Sequence, residues 1–158
     1  MRKDVGVGLI VAAMVVGIIA TFIYVVMPNL PQSTTTLRLG DGLFRARIAS
    51  NDNTRANGLS GVTEMDADQA LLMAYPDEDK WGIWMKDMKI SIDIVWLNSD
   101  KKVVHIVKHA SPEDSTLKTY VPKVPALYVV ELPAGTVDKK MITTDSTAVF
   151  QINNADIK

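Results

Sequence analysis

The chain of 158 residues contains no cysteine. That removes disulfides, thiolate metal ligands, a cysteine nucleophile and cysteine-linked lipid anchors in one step. Histidine is nearly as scarce, with His105 and His109 alone. Both fall on or just after a predicted strand, where four residues span roughly 13 Å at ~3.3 Å per residue. A zinc centre wants three or four ligands, so no metal and no cofactor are expected. Runs of lysine or arginine are also missing, and the formal net charge is −1. A surface that tracks phosphates, and with it a nucleic-acid partner, is therefore not expected. There is no internal repeat and no low-complexity tract. Ser60 lies between Leu59 and Gly61 without the spacing of a nucleophile elbow, so a catalytic triad has no support.

What is present begins with an apolar N-terminus. Arg2 and Lys3 precede residues 5–27, a run without charge in which Thr21 and Tyr24 are the polar interruptions. A helix needs about 20 residues to cross a bilayer core, and this run is longer. A cleavable signal peptide has an apolar core of only ~7–15 residues and small side chains at the cut, whereas Ile18 and Ile19 stand beside Ala20 here. The run is read as a retained signal anchor. No basic residue follows until Arg38, so residues 1–4 are expected in the cytoplasm and the rest of the chain outside the cell membrane. Residues 28–35 form a polar, proline-containing linker, and residues 36–158 form the extracytoplasmic domain.

With 47% hydrophobic and 22% charged residues, the chain has enough apolar surface for a core. The central stretch is residues 81–97, WGIWMKDMKISIDIVWL, which holds all three tryptophans. Ile90, Ile92, Ile94 and Trp96 alternate with Ser91 and Asp93, the period of a half-buried strand. A first hairpin is expected over residues 36–39 and 43–48, turning at Gly40-Asp41-Gly42. Asn53 or Thr54 is expected to cap a short helical turn closed by Gly58. Residues 65–75 are ambiguous: Asp66 with Gln69 imitates a capping box, yet residues 71–75 suit a buried strand equally well. Residues 91–108 read as a second hairpin, 110–123 as a long loop, 127–132 as a strand and 135–141 as a short helix. Residues 147–152 close the chain as a final strand. The whole is a mainly β (α+β) domain with one or two short helices, a small mixed barrel or sandwich.

Five short stretches occur in one order: Arg55-Ala56-Asn57-Gly58-Leu59-Ser60-Gly61, Trp84-Met85-Lys86, Asp93-Ile94-Val95, Val103-Val104-His105-Ile106 and Val129-Val130-Glu131-Leu132-Pro133-Ala134-Gly135. Together they resemble the bacterial and archaeal family called domain of unknown function 192, over residues 43–150. The resemblance implies strand rather than helix for residues 70–75, and agrees with a membrane-anchored or secreted location. It implies no activity. Two positions depart from the family pattern: Val62 stands where arginine is usual, and Ala70-Leu71-Leu72-Met73 replaces a strand opening in Gly-Met. If that arginine lines a polar site, the site is altered here.

Two sets of residues carry possible chemistry. Asp93 and Glu131 lie in apolar β runs, and two carboxylates held roughly 5–9 Å apart can serve as acid and base in glycoside hydrolysis. The bland alternative is that each accepts backbone amides or pairs with Lys86 or Arg55. Trp84, Met85 and Lys86 form a candidate binding lip, with Arg55 and Asp93 as further candidates, against core packing of Trp84 with Lys86 reaching to water. The expected function is a membrane-anchored module at the cell envelope that binds a ligand or protein partner. An envelope hydrolase using Asp93 and Glu131 is the alternative.

Overall fold

The computed structural model describes residues 33–158 apart from 117, 154 and 156, with the side chains of 115 and 116 also left aside. Contacts divide the chain into Met1–Gln32 and Ser33–Lys158. The expected transmembrane anchor lies outside the described residues. Among the described residues no helix is long and apolar enough to cross a membrane.

Strands β1 (Thr34–Leu39) and β2 (Gly42–Ala49) form the first hairpin. Its turn needs Gly40, whose φ is +55° and whose position against the Lys140 carbonyl leaves no room for a Cβ. Helix α1 (Asp52–Asn57) follows, and then β3 (Gln69–Asp79), which pairs parallel to β2. A parallel pair needs a crossover connection, and this one lays α1 and residues 58–65 over one face of the sheet. Next come β4 (Ile83–Trp84), β5 (Ile92–Leu97), β6 (Val103–Ala110), a 3-10 turn (Pro112–Thr116), β7 (Thr119–Tyr120), β8 (Ala126–Pro133) and α2 (Thr136–Lys139). Six strands form one mixed sheet in the order β1-β2-β3-β8-β5-β6, while β4 and β7 pair separately. The domain is mainly β with two short helices.

The side-chain alternation of strands splits the interior in two. On one face Phe44, Leu72, Val95, Val130 and Leu132 pack with Val137, Ala148 and Phe150 from the C-terminal segment. On the other Leu71, Met73, Ile94, Trp96 and Val129 pack with Leu59, Ile83, Met85 and Met88 from the connecting loops.

Several expectations need correction. The sheet does not close into a barrel: β1 and β6 stay at its edges. Residues 147–152 form no regular strand. Thr147 and Val149 instead make isolated bridges to Lys102 and Arg38, so this segment touches both edges without completing a ladder. The cap of α1 is Asn51, not Asn53 or Thr54, and it forms a reciprocal box with Thr54. Asp66 and Gln69 do bond each other, but in the turn leading into β3. Their sequence spacing is shared by a helix start and by a tight turn, which is why it misleads.

Candidate functional site

Glu131 is the residue from which the site is built. Arg47, Leu71, Glu131 and Ile94 occupy one row across β2, β3, β8 and β5. The row lies on the face packed with Leu59, Ile83 and Met88. Glu131 is only 3% exposed, and its Oε2 has no hydrogen-bond partner among the described residues. A buried polar group without a partner costs roughly 1–3 kcal/mol, more when charged. Burial pushes the Glu131 carboxyl up to about 7 from its ordinary 4.5, with the Arg47 guanidinium pulling the other way. Arg47 is lowered by its own burial, with Glu131 opposing, and it donates to the Gly58 carbonyl at 2.6 Å.

Glu131 lines a cleft of about 250 Å³ that opens between the α1 loop and residues 81–88. Its walls are held in place by specific contacts. Arg55 donates to the carbonyls of Ala74 at 2.8 Å and Lys158 at 2.6 Å, and to Asp52 at 2.6 Å. Its guanidinium carbon lies 4.9 Å from the Tyr75 ring centre. Trp81 stacks on the same ring at 4.2 Å, nearly parallel to it, so Tyr75 is held between a cation and an indole. Burial pushes the Tyr75 phenol up to about 12; Arg55 lowers it and Glu131 adds to the rise. Trp96 lies wholly buried beneath this wall, and its indole N–H donates to the Trp81 carbonyl at 2.8 Å. The hydroxyl of Ser60 donates to the Lys86 carbonyl, and the Gly61 N–H to the Asp87 carbonyl, tying the two walls together.

At the mouth, three neighbours part ways where the chain leaves β4 for a turn. Trp84 is 51% exposed and Lys86 is exposed, while Met85 is completely buried between them. The Lys86 ammonium sits 5.6 Å from the Trp84 ring centre. Trp84, Lys86 and Arg55 line the cleft, and Met85 does not: it is a core residue of the adjoining cluster.

Asp93 also falls outside the cleft. It pairs in register with Leu132, on the opposite face of the sheet from Glu131. Its Oδ1 accepts the His109 N–H at 2.9 Å and its Oδ2 accepts the Val137 N–H at 2.8 Å. The second bond caps α2, whose N-cap Gly135 has no side chain to do so. The first holds His109 in a left-handed conformation at φ +53°. The sheet separates Asp93 from Glu131, so they form no acid–base pair, and the two-carboxylate hydrolase loses its geometry. Arg47, Tyr75 and Trp81 belong to the site without having been singled out from sequence. Arg47 was hidden because only the strand register puts it in the row of Glu131, and Tyr75 because only the pairing of β3 with β8 brings its face of β3 over that carboxyl.

These features define a two-faced mixed-sheet domain with one face sealed and the other carrying an aromatic cleft over a buried carboxyl. The chain belongs to the family described as DUF192, uncharacterized ACR, which matches residues 35–150. A UPF0127 protein of Thermococcus sibiricus is 34% identical over 96 residues. That match covers 60% of this chain and 58% of the relative, under two thirds of its length. Two crystal structures share the fold at 21% identity. One is a candidate transcription regulator from Sinorhizobium meliloti, with a TM-score of 0.71, covering 77% of this chain and 96% of its own. The other is a protein of unknown function from Novosphingobium aromaticivorans, with a TM-score of 0.67, covering 75% of this chain and 84% of its own.

Proposed function

We propose that this protein is a membrane-tethered binding module whose domain stands outside the cell membrane and holds a small ligand in the Glu131 cleft. The observation that carries the reading is Glu131, which lines a cleft walled by aromatic side chains and whose Oε2 has no hydrogen-bond partner among the described residues. Sites for small molecules are mostly apolar concavities with a few placed polar groups, and this cleft has that make-up. The location rests on the apolar run of residues 5–27 and on Arg2 and Lys3 before it. The candidate regulator from Sinorhizobium meliloti raises nucleic acid as a partner. A net charge of −1 without any basic run gives that no support.

Soaking crystals with a chemically broad fragment panel tests the cleft. Molecules should collect there within hydrogen-bond reach of Glu131; a panel that settles elsewhere, or nowhere, overturns the reading. The orientation is tested separately on intact cells. A phosphatase fused after Lys158 should be active if the domain is outside, and an inactive fusion refutes that location.

A further inference from the structure

The cleft's own charges narrow what it can hold. The cation-binding face of Tyr75 is taken by Arg55, and Lys86 stands over Trp84. A cationic ligand would meet two fixed cations where an aromatic cage would otherwise receive it. Arg55 offers an anion only part of its guanidinium, since three of its N–H groups already go to two carbonyls and Asp52. That leaves Lys86 at the mouth as the cation facing the cleft without a carboxylate partner among the described residues.

The floor adds a second constraint. Burial pushes the Glu131 carboxyl up to about 7, so the floor of the cleft is an acid held far above the ordinary carboxylate range. The groups facing it are Arg47 from β2, and Tyr75 from β3 with Arg55 beside that ring. An ammonium suits the ionised form alone, and a carboxylate suits the acid alone. A hydroxyl suits both, because it can donate to the carboxylate or accept from the acid.

Size and wall chemistry supply the third. About 250 Å³ lies just below the roughly 300–1,000 Å³ of drug-sized pockets, which suits one ring. Trp84 offers an exposed aromatic surface at the entrance, against which the apolar face of a hydroxylated ring can lie.

Resting on the reading of the cleft as a ligand site, we propose that its ligand is an uncharged saccharide ring, with one hydroxyl on Glu131 and an apolar face against Trp84. The ring could be a free sugar or the end of a glycan; the shared chemistry is the neutral, hydroxylated ring.

The test uses the full chain in a polyoxyethylene detergent, which carries neither sugar nor charge. The probes are methyl glycosides of glucose, galactose, mannose and N-acetylglucosamine, with phenylacetate and tetramethylammonium as the charged comparisons. The indole N–H resonances of Trp81 and Trp84 report the cleft, that of Trp96 follows Trp81 through its bond to the Trp81 carbonyl, and an added inert compound serves as the chemical-shift reference. At least one glycoside should shift Trp81 and Trp84 saturably, with Kd in the millimolar range. Glu131→Met and Trp84→Ala should each weaken that binding roughly tenfold or more. Glu131→Met replaces a buried acid by an apolar side chain, so it should fold, and its melt is recorded to show that it does.

Silence from all glycosides up to about 100 mM, far above millimolar Kd values, overturns the saccharide. So does a glycoside that binds Glu131→Met as tightly as the native chain. If phenylacetate or tetramethylammonium shifts Trp81 and Trp84 instead, the saccharide fails while the cleft remains a ligand site.

Discussion

Asp93 receives two backbone N–H groups, and Glu131 Oε2 receives none among the described residues. Both are acids set in apolar strands, and their difference lies in which face of the sheet each side chain enters. Asp93 acts as a clamp, joining the end of β6 to the start of α2. Asp93→Asn keeps the shape, but its amide NH2 would confront one of the two N–H donors. The expected cost is roughly 2–4 kcal/mol, measured by urea unfolding, with glycoside or fragment binding in the cleft unchanged. Loss of binding without loss of stability would contradict the clamp. The alternation of Ile92, Asp93 and Ile94 was legible in the sequence, and so was the strand character of β8. Which face of β8 matches which face of β5 was not, because a one-residue change of register reverses the answer. Met85 shows a similar limit just past the end of β4: its neighbours Trp84 and Lys86 line the mouth while it fills the core.

Among the elements, α1 is the one on which the cleft most depends. It has six residues, none of them buried as a whole, and the Arg55 side chain is the one that reaches under cover, at 8% exposed. An isolated helix of that length is unstable in water, so its capping box and the Arg55 bonds hold it. Asn51→Ala removes the side chain that accepts the Thr54 N–H and should cost about 1 kcal/mol. The more telling measurement is amide exchange in residues 54–60, which should quicken as the wall of the cleft loosens. Unchanged exchange there would mean that Arg55 alone secures the element. Sequence reasoning placed this helix and its closing Gly58, and missed the cap by two residues or more. Asn51, Asn53 and Thr54 are all good cap residues, and only the chain path out of β2 decides among them. The final strand failed for a different reason. Residues 147–152 have strand-like side chains, but the edges they meet, β1 and β6, lie at opposite ends of the sheet.

At the scale of the whole domain, the buried carboxyl couples stability to pH. Glu131 has a folded value of about 7, raised by burial from 4.5. Between those values the folded domain retains a proton that the unfolded chain releases, so stability falls as pH rises through this window. The full loss, about 3 kcal/mol, is reached above pH 7. His105 acts in the opposite sense at the acid side, since burial lowers it below 6.5, with Lys123 adding to the effect. Comparing melts of the native chain and Glu131→Gln at pH 5 and pH 8 isolates the carboxyl. The variant should gain on the native protein by roughly 10 °C between the two pH values. Parallel curves would mean that Glu131 is ionised to the same extent folded and unfolded.

The C-terminal segment that bridges Arg38 and Lys102 also bears on how neighbouring copies coexist. An open sheet presents unpaired N–H and C=O groups along its outer strands, an invitation to strand addition by another molecule. Here Arg38 exchanges both backbone bonds with Val149, while Val103 and Ala148 bond to Ser146 and Lys101. The backbone groups most open to intermolecular pairing at those points are thus already engaged within the chain. At high local concentration, that is protection against fibre growth obtained without closing the sheet.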